Sequence, residues 1–404
     1  LCALDAIAWL FNLRSRDIQF TPVAISYAVV TDRTAYLFID PRKITSKQVA
    51  ASLGRHLKLR PYDAMPELLR QLGQRGTRVL VDPATTNRWV AGLLRGAELM
   101  YAPSPIVAMK ALKNPTQLTG IAAAHRRDGV AMVKFLRWLE QQVRRGGVTE
   151  LSAAAQLERF RAEDPLFRDC SFETISGYAA HGAIVHYAVD EQSDIPLRPC
   201  GIYLVDSGAQ YPDGTTDITR SVCLGGKPTR RQVEAYTRVL QGHIACSSTP
   251  FPAGTTGQRQ ELHARKPLWQ AGWNYGHGTG HGVGQYLGVH EGPCGLKDVE
   301  GAPLQPGHLL SIEPGHYEAG KFGIRLENLA YVKWDEKLSR AEQEWYRFEP
   351  VTLCPFDRKL IDKKLLSRQE RDWLDRYHQL VYRTLSKLLD REHRQWLKRQ
   401  TRKL

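Results

Sequence analysis

Five side chains of metal-ligand type stand in short, well-formed contexts between residues 206 and 327. They are Asp206 in GIYLVDSGAQY, Asp217 in DGTTDITR, His281 in YGHGTGHGVG, Glu313 in LLSIEPGHY and Glu327 in FGIRLENL. Four carboxylates and one imidazole carry enough negative charge for two divalent cations side by side, whereas a structural zinc favours thiolates and imidazoles. The chemistry this predicts is two-metal activation of water.

Each context has its own local logic. GIYLVDSGAQYPDGTTDITRSV reads as a strand, a turn rich in Pro, Asp and Gly, and a returning strand, which sets Asp206 and Asp217 opposite one another across a hairpin. Asp213 belongs to the turn itself and is expected to serve turn chemistry. In YGHGTGHGVG, glycine stands at every second position from Gly276 to Gly284. Such a run forms no stable helix, so the backbone must pass close to something or adopt φ values barred to other residues. His277 and His281 are four apart, and spacing alone does not choose between them as the ligand. His290, beside Glu291, can hydrogen-bond a substrate carbonyl or its tetrahedral intermediate. Strand alternation in FGIRLENLAYV puts Arg325 and Glu327 on one face, where the arginine would orient the carboxylate.

The elements that position these residues follow from the pattern around them. YAVV (27–30) and AYLFI (35–39) read as strands, KQVAASLGRHL and PELLRQLGQRG as helices, and RVLVD as a buried strand, an α/β layer. YAPSPI, with Pro103 and Pro105, is the linker candidate. A long helix follows, capped by Asn114 with Pro115 at its first position and ended by Gly146 and Gly147. Strands and tight turns are then expected to about residue 350, interrupted by a helix at 230–246. Long helix followed by hairpin occurs twice and suggests an internal duplication. The last fifty residues read as helical, with Trp373, Leu374, Tyr377, Leu380 and Val381 on one face.

Composition bounds the function classes. With 404 residues and 42% apolar side chains the chain can bury more than one core. The net charge of +14 comes from scattered basic residues, densest after Arg358, and reads as solvated helix faces rather than a nucleic-acid stripe. Seven cysteines without a C-x-x-C pair fit thiols in a reducing cytoplasm. No apolar run is long enough to span a bilayer. The opening LCALDAIAWLFNLRS lacks a basic start and carries Asp5, which argues against a signal peptide.

The order VDSG, TTDITR, GHGTGHGVG, VHEGP, IEPG and GIRLEN, with ISG and GAIVHY upstream, resembles the cytosolic three-domain Xaa-Pro aminopeptidases of the pita-bread metallopeptidase superfamily. The resemblance covers essentially the whole chain. It implies an α/β chain in which a pita-bread catalytic domain (106–350, α+β) follows a partial creatinase-N-type α/β domain (1–105) and precedes a helical extension (351–404). It further implies that Asp206 chelates one ion, Asp217 and Glu327 bridge two, and His281 and Glu313 complete the other. Glu313 would take a proton from the attacking water. His186 and His290 would contact the substrate around the scissile bond, with His277 nearby and Arg325 beside them. Two divalent ions, usually manganese in that family, a homodimer and a cytoplasmic location go with it. The substrates implied are peptides with proline at the second position.

Three positions depart from that pattern: His181, Asn274 and His316. The opening residues match the interior of the family's middle domain, so its first domain and the opening strands of the second are expected to be missing here, with an exposed sheet edge. Two alternatives stand beside the aminopeptidase. A prolidase would cut Xaa-Pro dipeptides with the same ligands, and a non-catalytic relative would bind nucleic acid or protein.

Overall fold

Asn114 and Pro115 start the longest helix as their chemistry dictates. In the computed structural model, which describes every residue except 45–48, 50, 52, 55 and 300, Asn114 accepts from the Gln117 N–H in a capping box and the helix ends at Gly146, φ +85°. The chain divides into two compact units, Leu1–Lys110 and Ala111–Leu404.

The first unit is α/β. Helix α1 (Leu4–Leu10) precedes an antiparallel pair, β1 (Ser26–Val30) and β2 (Ala35–Ile39), and β3 (Leu57–Arg60) adds parallel to β2. Helix α2 (Met65–Gln74), β4 (Arg78–Val81), α3 (Arg88–Leu93) and β5 (Glu98–Tyr101) follow, with β4 parallel to β5. The helix expected over KQVAASLGRHL (47–57) falls in part on residues outside the described ones, and its last residue, Leu57, opens β3. RVLVD is a strand, but not a buried one: Val81 is covered while Leu80 is 46% exposed. Its side chains alternate, so only one face packs on Met65, Leu69 and Val90. YAPSPI is less of a linker than its prolines suggest, because Pro105 opens helix α4 (Pro105–Ala111).

The second unit begins with α5 (Pro115–Arg145) and α6 (Glu150–Ala162), then β6 (Asp169–Cys170), β7 (Ile175–Tyr178), β8 (Ile202–Ser207), β9 (Ala209–Tyr211), β10 (Gly214–Thr215) and β11 (Ile218–Cys223). Helix α7 (Arg230–Ser248), β12 (Phe251–Pro252) and helix α8 (Gly257–Trp269) lead to β13 (Gly280–Gly282) and β14 (Glu291–Leu296). The remaining strands are β15 (Leu309–Ile312), β16 (Gly315–Glu318), β17 (Phe322–Arg325), β18 (Asn328–Trp334) and β19 (Trp345–Pro350), before helices α9 (Arg368–Leu385) and α10 (Arg391–Gln400). Strand β8 runs between β7 and β11, and a six-stranded sheet has the order β12-β19-β18-β15-β13-β14. Helices α6 and α8 interrupt a region expected to be strands and turns. The buried stripe of α6 includes Glu150 and Arg161, and α8 contains Gly257 and Pro267, so neither shows an apolar period.

The main core joins α5 (Met132, Phe135, Leu139) to β8 (Tyr203, Val205), α7 (Tyr236, Val239, Leu240) and α9 (Leu374, Tyr377, Val381). The apolar face expected at the carboxyl end is therefore spent inside its own unit. Arg220 locks it there. Its fully buried guanidinium donates to the carbonyls of Glu327 (2.6 Å) and Cys354 (2.7 Å) and to Asn328 Oδ1 (2.8 Å), and lies 4.3 Å from the Phe356 ring centroid. All seven cysteines are free thiols. Among the described residues no helix is long and apolar enough to cross a membrane.

Candidate metal centre

Strand pairing brings the acidic residues together. Asp206 lies near the end of β8 and pairs with Thr219 of β11, so Asp217, just before β11, stands a diagonal step away rather than directly opposite. The expected hairpin exists, elaborated by β9 and β10. Asp213 sits in its turn, where its carboxylate takes an ion pair from Arg127. Glu313 and Glu327 interrupt two strands at the same level. Ile312 faces Asn328 and Gly315 faces Arg325, so the register carried through sets Glu313 across from Glu327. Their own N–H groups leave the ladder, Glu313 for the Thr279 carbonyl at 2.7 Å and Glu327 for the Thr219 carbonyl at 3.1 Å.

The glycine run supplies the close approach expected of it. A Cβ on Gly280 would lie 1.9 Å from the Ser311 carbonyl oxygen, and one on Gly282 would lie 2.1 Å from that of Glu291. Between these two glycines His281 points its Nε2 at Asp217 Oδ2 and Glu313 Oε1, each 3.5 Å away. Its Nδ1 lies 2.9 Å from the Gly282 carbonyl, which makes Nδ1 the donor and leaves the Nε2 lone pair facing the carboxylates. The structure thus separates the two histidines of GHGTGH. His277 stands outside the cluster, with Nε2 2.9 Å from the Tyr317 hydroxyl.

A divalent cation fits this donor set. Ligand atoms of Asp217, His281 and Glu327 all lie within 4.8 Å of one another. Asp206 Oδ1 and Glu327 Oε1 are buried without a hydrogen-bond partner, an expensive state for carboxylate oxygens unless a cation takes them. Burial, followed by repulsion from Asp206 and Glu313, pushes the Asp217 carboxyl well above its usual range; burial, followed by Asp217 and Glu313, does the same to Glu327. Glu313 is also raised, chiefly by burial.

Neighbouring groups hold the ligands in place. Arg325, expected to orient Glu327, instead donates to Asp206 Oδ2 at 2.6 Å and to the Tyr317 hydroxyl at 2.9 Å, and its side chain is 2% exposed. Glu327 Oε2 is held by the Thr219 hydroxyl at 2.8 Å, and Glu313 Oε1 by Ser311 Oγ at 3.2 Å. Thr219 and Tyr317 were not singled out by sequence reasoning. Thr219 was open to it, because strand alternation places it on the Asp217 face. Tyr317 carried no such signal. Burial lifts its hydroxyl to about 12, so it remains a neutral donor. The His290 ring stands edge-on to His281 at 4.2 Å. Burial, then the neighbouring His281 imidazole, lowers His290 to about 4, and burial lowers His277 to about 4. His186 is exposed and lies electrostatically close to both.

Known proteins resemble this chain in sequence and fold. Residues 119–333 match metallopeptidase family M24, residues 1–117 the creatinase/prolidase N-terminal domain, and residues 344–404 the C-terminal region of peptidase M24. A probable Xaa-Pro aminopeptidase P from Sordaria macrospora is 42% identical over 402 residues, covering 95% of this chain and 65% of the relative; its counterpart from Paracoccidioides brasiliensis is 42% identical over 401 residues, with the same shares. The chain therefore spans 65% of the length of these curated relatives. The crystal structure of an X-prolyl aminopeptidase from Caenorhabditis elegans, described as a cytosolic enzyme with a di-nuclear active site, superimposes with a TM-score of 0.94 at 33% identity, over 99% of this chain and 67% of that one. An Xaa-Pro dipeptidase from Bacillus anthracis shares the fold, with a TM-score of 0.70 at 22% identity over 87% of this chain and 91% of that one. With a creatinase-type amino-terminal region ahead of a pita-bread catalytic region, the chain belongs to metallopeptidase family M24.

Proposed function

We propose that this chain acts as a metal-dependent aminopeptidase that releases the N-terminal residue from peptides with proline at the second position. The observation that carries the reading is the convergence of four carboxylates and the His281 Nε2 lone pair on one site, with Asp206 Oδ1 and Glu327 Oε1 buried and unpartnered. Asp206, Asp217, His281, Glu313 and Glu327 would hold two divalent ions, Asp217 and Glu327 as the bridges. When bound, such ions supply Lewis-acid polarisation of the scissile carbonyl and a lower pKa for the attacking water. An oxygen-rich donor set with one imidazole suits manganese.

The chain's own residues do the rest. Glu313, raised by burial, is placed to accept the proton of the attacking water. His290, neutral at physiological pH, and His186 present imidazoles at one edge of the cluster and donate to the oxygen that gains charge. His186 and His290 also meet the proline, with His277, tied to Tyr317, nearby. Arg325 works through Asp206, with Glu313 and the Thr219 and Tyr317 hydroxyls also in its reach. Proline recognition matters because its tertiary amide lacks the N–H that most peptidase sites require. The reading extends to a cytoplasmic homodimer that does not bind nucleic acid, and to a three-part chain with boundaries near residues 105 and 350.

Metal analysis of the purified protein, alongside cleavage of an Xaa-Pro-Xaa tripeptide and an Xaa-Pro dipeptide, tests the proposal. Tripeptide cleavage that disappears with chelator and with Asp217→Ala supports it. Preference for the dipeptide moves the assignment to prolidase, and absence of both metal and cleavage sinks the enzyme readings together.

A further inference from the structure

Beyond the metal ligands, one buried acid gathers several donors. Glu150 is fully buried at the first position of α6, where the helix terminus favours negative charge. Its carboxylate accepts from the Tyr178 N–H at 2.5 Å, from His181 Nδ1 at 2.9 Å and from the Tyr187 hydroxyl at 3.1 Å. Its backbone carbonyl accepts from Ser176 Oγ at 2.7 Å. The His181 and Tyr187 rings also lie against each other, with centroids 4.6 Å apart. Residues 176–187 are thus pinned to one residue at both ends and in the middle, and His186 precedes the last anchor.

This segment is also strained and wedged. Ala179 sits at φ +51°, a left-handed conformation that crowds a Cβ against the following carbonyl oxygen. A Cβ on Gly323 would lie 1.7 Å from the Gly182 carbonyl oxygen, so the segment presses on β17 two residues before Arg325. Strain of this kind persists where the surroundings over-determine the backbone. His186 is exposed, so the backbone that carries it decides where its ring can reach.

We propose that Glu150, with His181 and Tyr187, is a positioning device that fixes His186 against the peptide. The inference rests on the functional reading above and deepens it. Glu150 touches no substrate and acts only through the segment it pins. Loss of an anchor lets the segment relax the Ala179 strain and carries His186 away from its working place.

The test uses the manganese-loaded full chain and an Xaa-Pro-Xaa tripeptide, with Glu150→Gln, Tyr187→Phe, His181→Ala and His181→Asn, each alone and combined with His186→Ala. Glu150→Gln, Tyr187→Phe and His181→Ala are expected to lower kcat/KM about tenfold, mainly through KM, with bound metal unchanged. His181→Asn, which keeps a donor to the carboxylate, restores most of the loss. In the His186→Ala background none of them lowers activity further. An equal loss in both backgrounds overturns the inference. Should Glu150→Gln fail to fold, Tyr187→Phe, which removes one hydroxyl, decides the matter. A wild-type protein that cleaves no Xaa-Pro peptide refutes the functional reading, and a second readout then judges the positioning: the His186 ring NMR signal should broaden or split in Tyr187→Phe. An unchanged signal overturns it.

Discussion

Replacing a metal ligand should make the metal-free protein more stable. In the absence of cations, ligand atoms of Asp217 and Glu327 are held within 4.8 Å of each other. Two unit charges at that separation repel by about 3.5 kcal/mol at an effective dielectric constant of about 20. Asp217→Asn keeps the shape and removes that repulsion. For a unit of this size each kcal/mol moves Tm by roughly 2 °C, so the chelated variant should melt about 7 °C above the wild type at pH 8. The pH dependence has a fixed sign. Both carboxyls are raised in the folded state above their unfolded values of 3.8 and 4.5, so the folded protein holds protons that the unfolded chain has lost. Wild-type stability is full below those unfolded values and falls as pH rises through the raised folded ones. The advantage of Asp217→Asn therefore vanishes near pH 4 and grows as pH rises through the raised folded values. Manganese reverses the order at a thousand times Kd, where the wild type gains about 4.1 kcal/mol and the variant does not. Calorimetric melts at several pH values, with chelator and with manganese, measure all of this. A chelated variant that melts below the wild type at pH 8, or that gains as much from manganese, refutes the reasoning.

Three further outcomes are expected. His290→Ala should lower kcat/KM by about 10²–10³ while leaving the acid limb of the pH profile in place, because a histidine held near 4 does not titrate there; loss of that limb would make His290 the titrating group. Gly280→Ala should displace the His281 strand, since its Cβ would meet the Ser311 carbonyl oxygen at 1.9 Å, and manganese affinity measured by calorimetry should fall at least tenfold. Arg220→Met should cost about 3–5 kcal/mol in urea denaturation, because it strands the carbonyls of Glu327 and Cys354 in the core.

What could be read from the sequence was what short-range chemistry controls. Asn114 and Pro115 start a helix by local hydrogen bonding and fixed φ, and the alternating glycines announced a tight backbone passage wherever it lay. The ligands were legible as a set, because each short motif gained weight from the others, while spacing left His277 and His281 open. Pairing between distant segments was harder to see. Nothing local says that Arg325 pairs with Asp206 rather than Glu327, or that Tyr317 reaches both Arg325 and His277. Helix α6 hid behind its buried Glu150 and Arg161, which serve hydrogen bonds that periodicity cannot register. Leu80 misled in the opposite sense, because an apolar run signals a strand without saying how many of its faces are covered.

The departure of the Glu313 and Glu327 amides from their own ladder bears on how the protein reaches its folded state. Those N–H groups end on Thr279 and Thr219, so each glutamate is fixed by a segment remote from it in the chain. The cluster exists only after segments around 219, 279, 313 and 327 have all found one another, a set of long loop closures that ranks among the slow events of folding. Metal uptake then reports completion of the fold. In a refolding experiment, manganese binding should follow the last kinetic phase and never precede it.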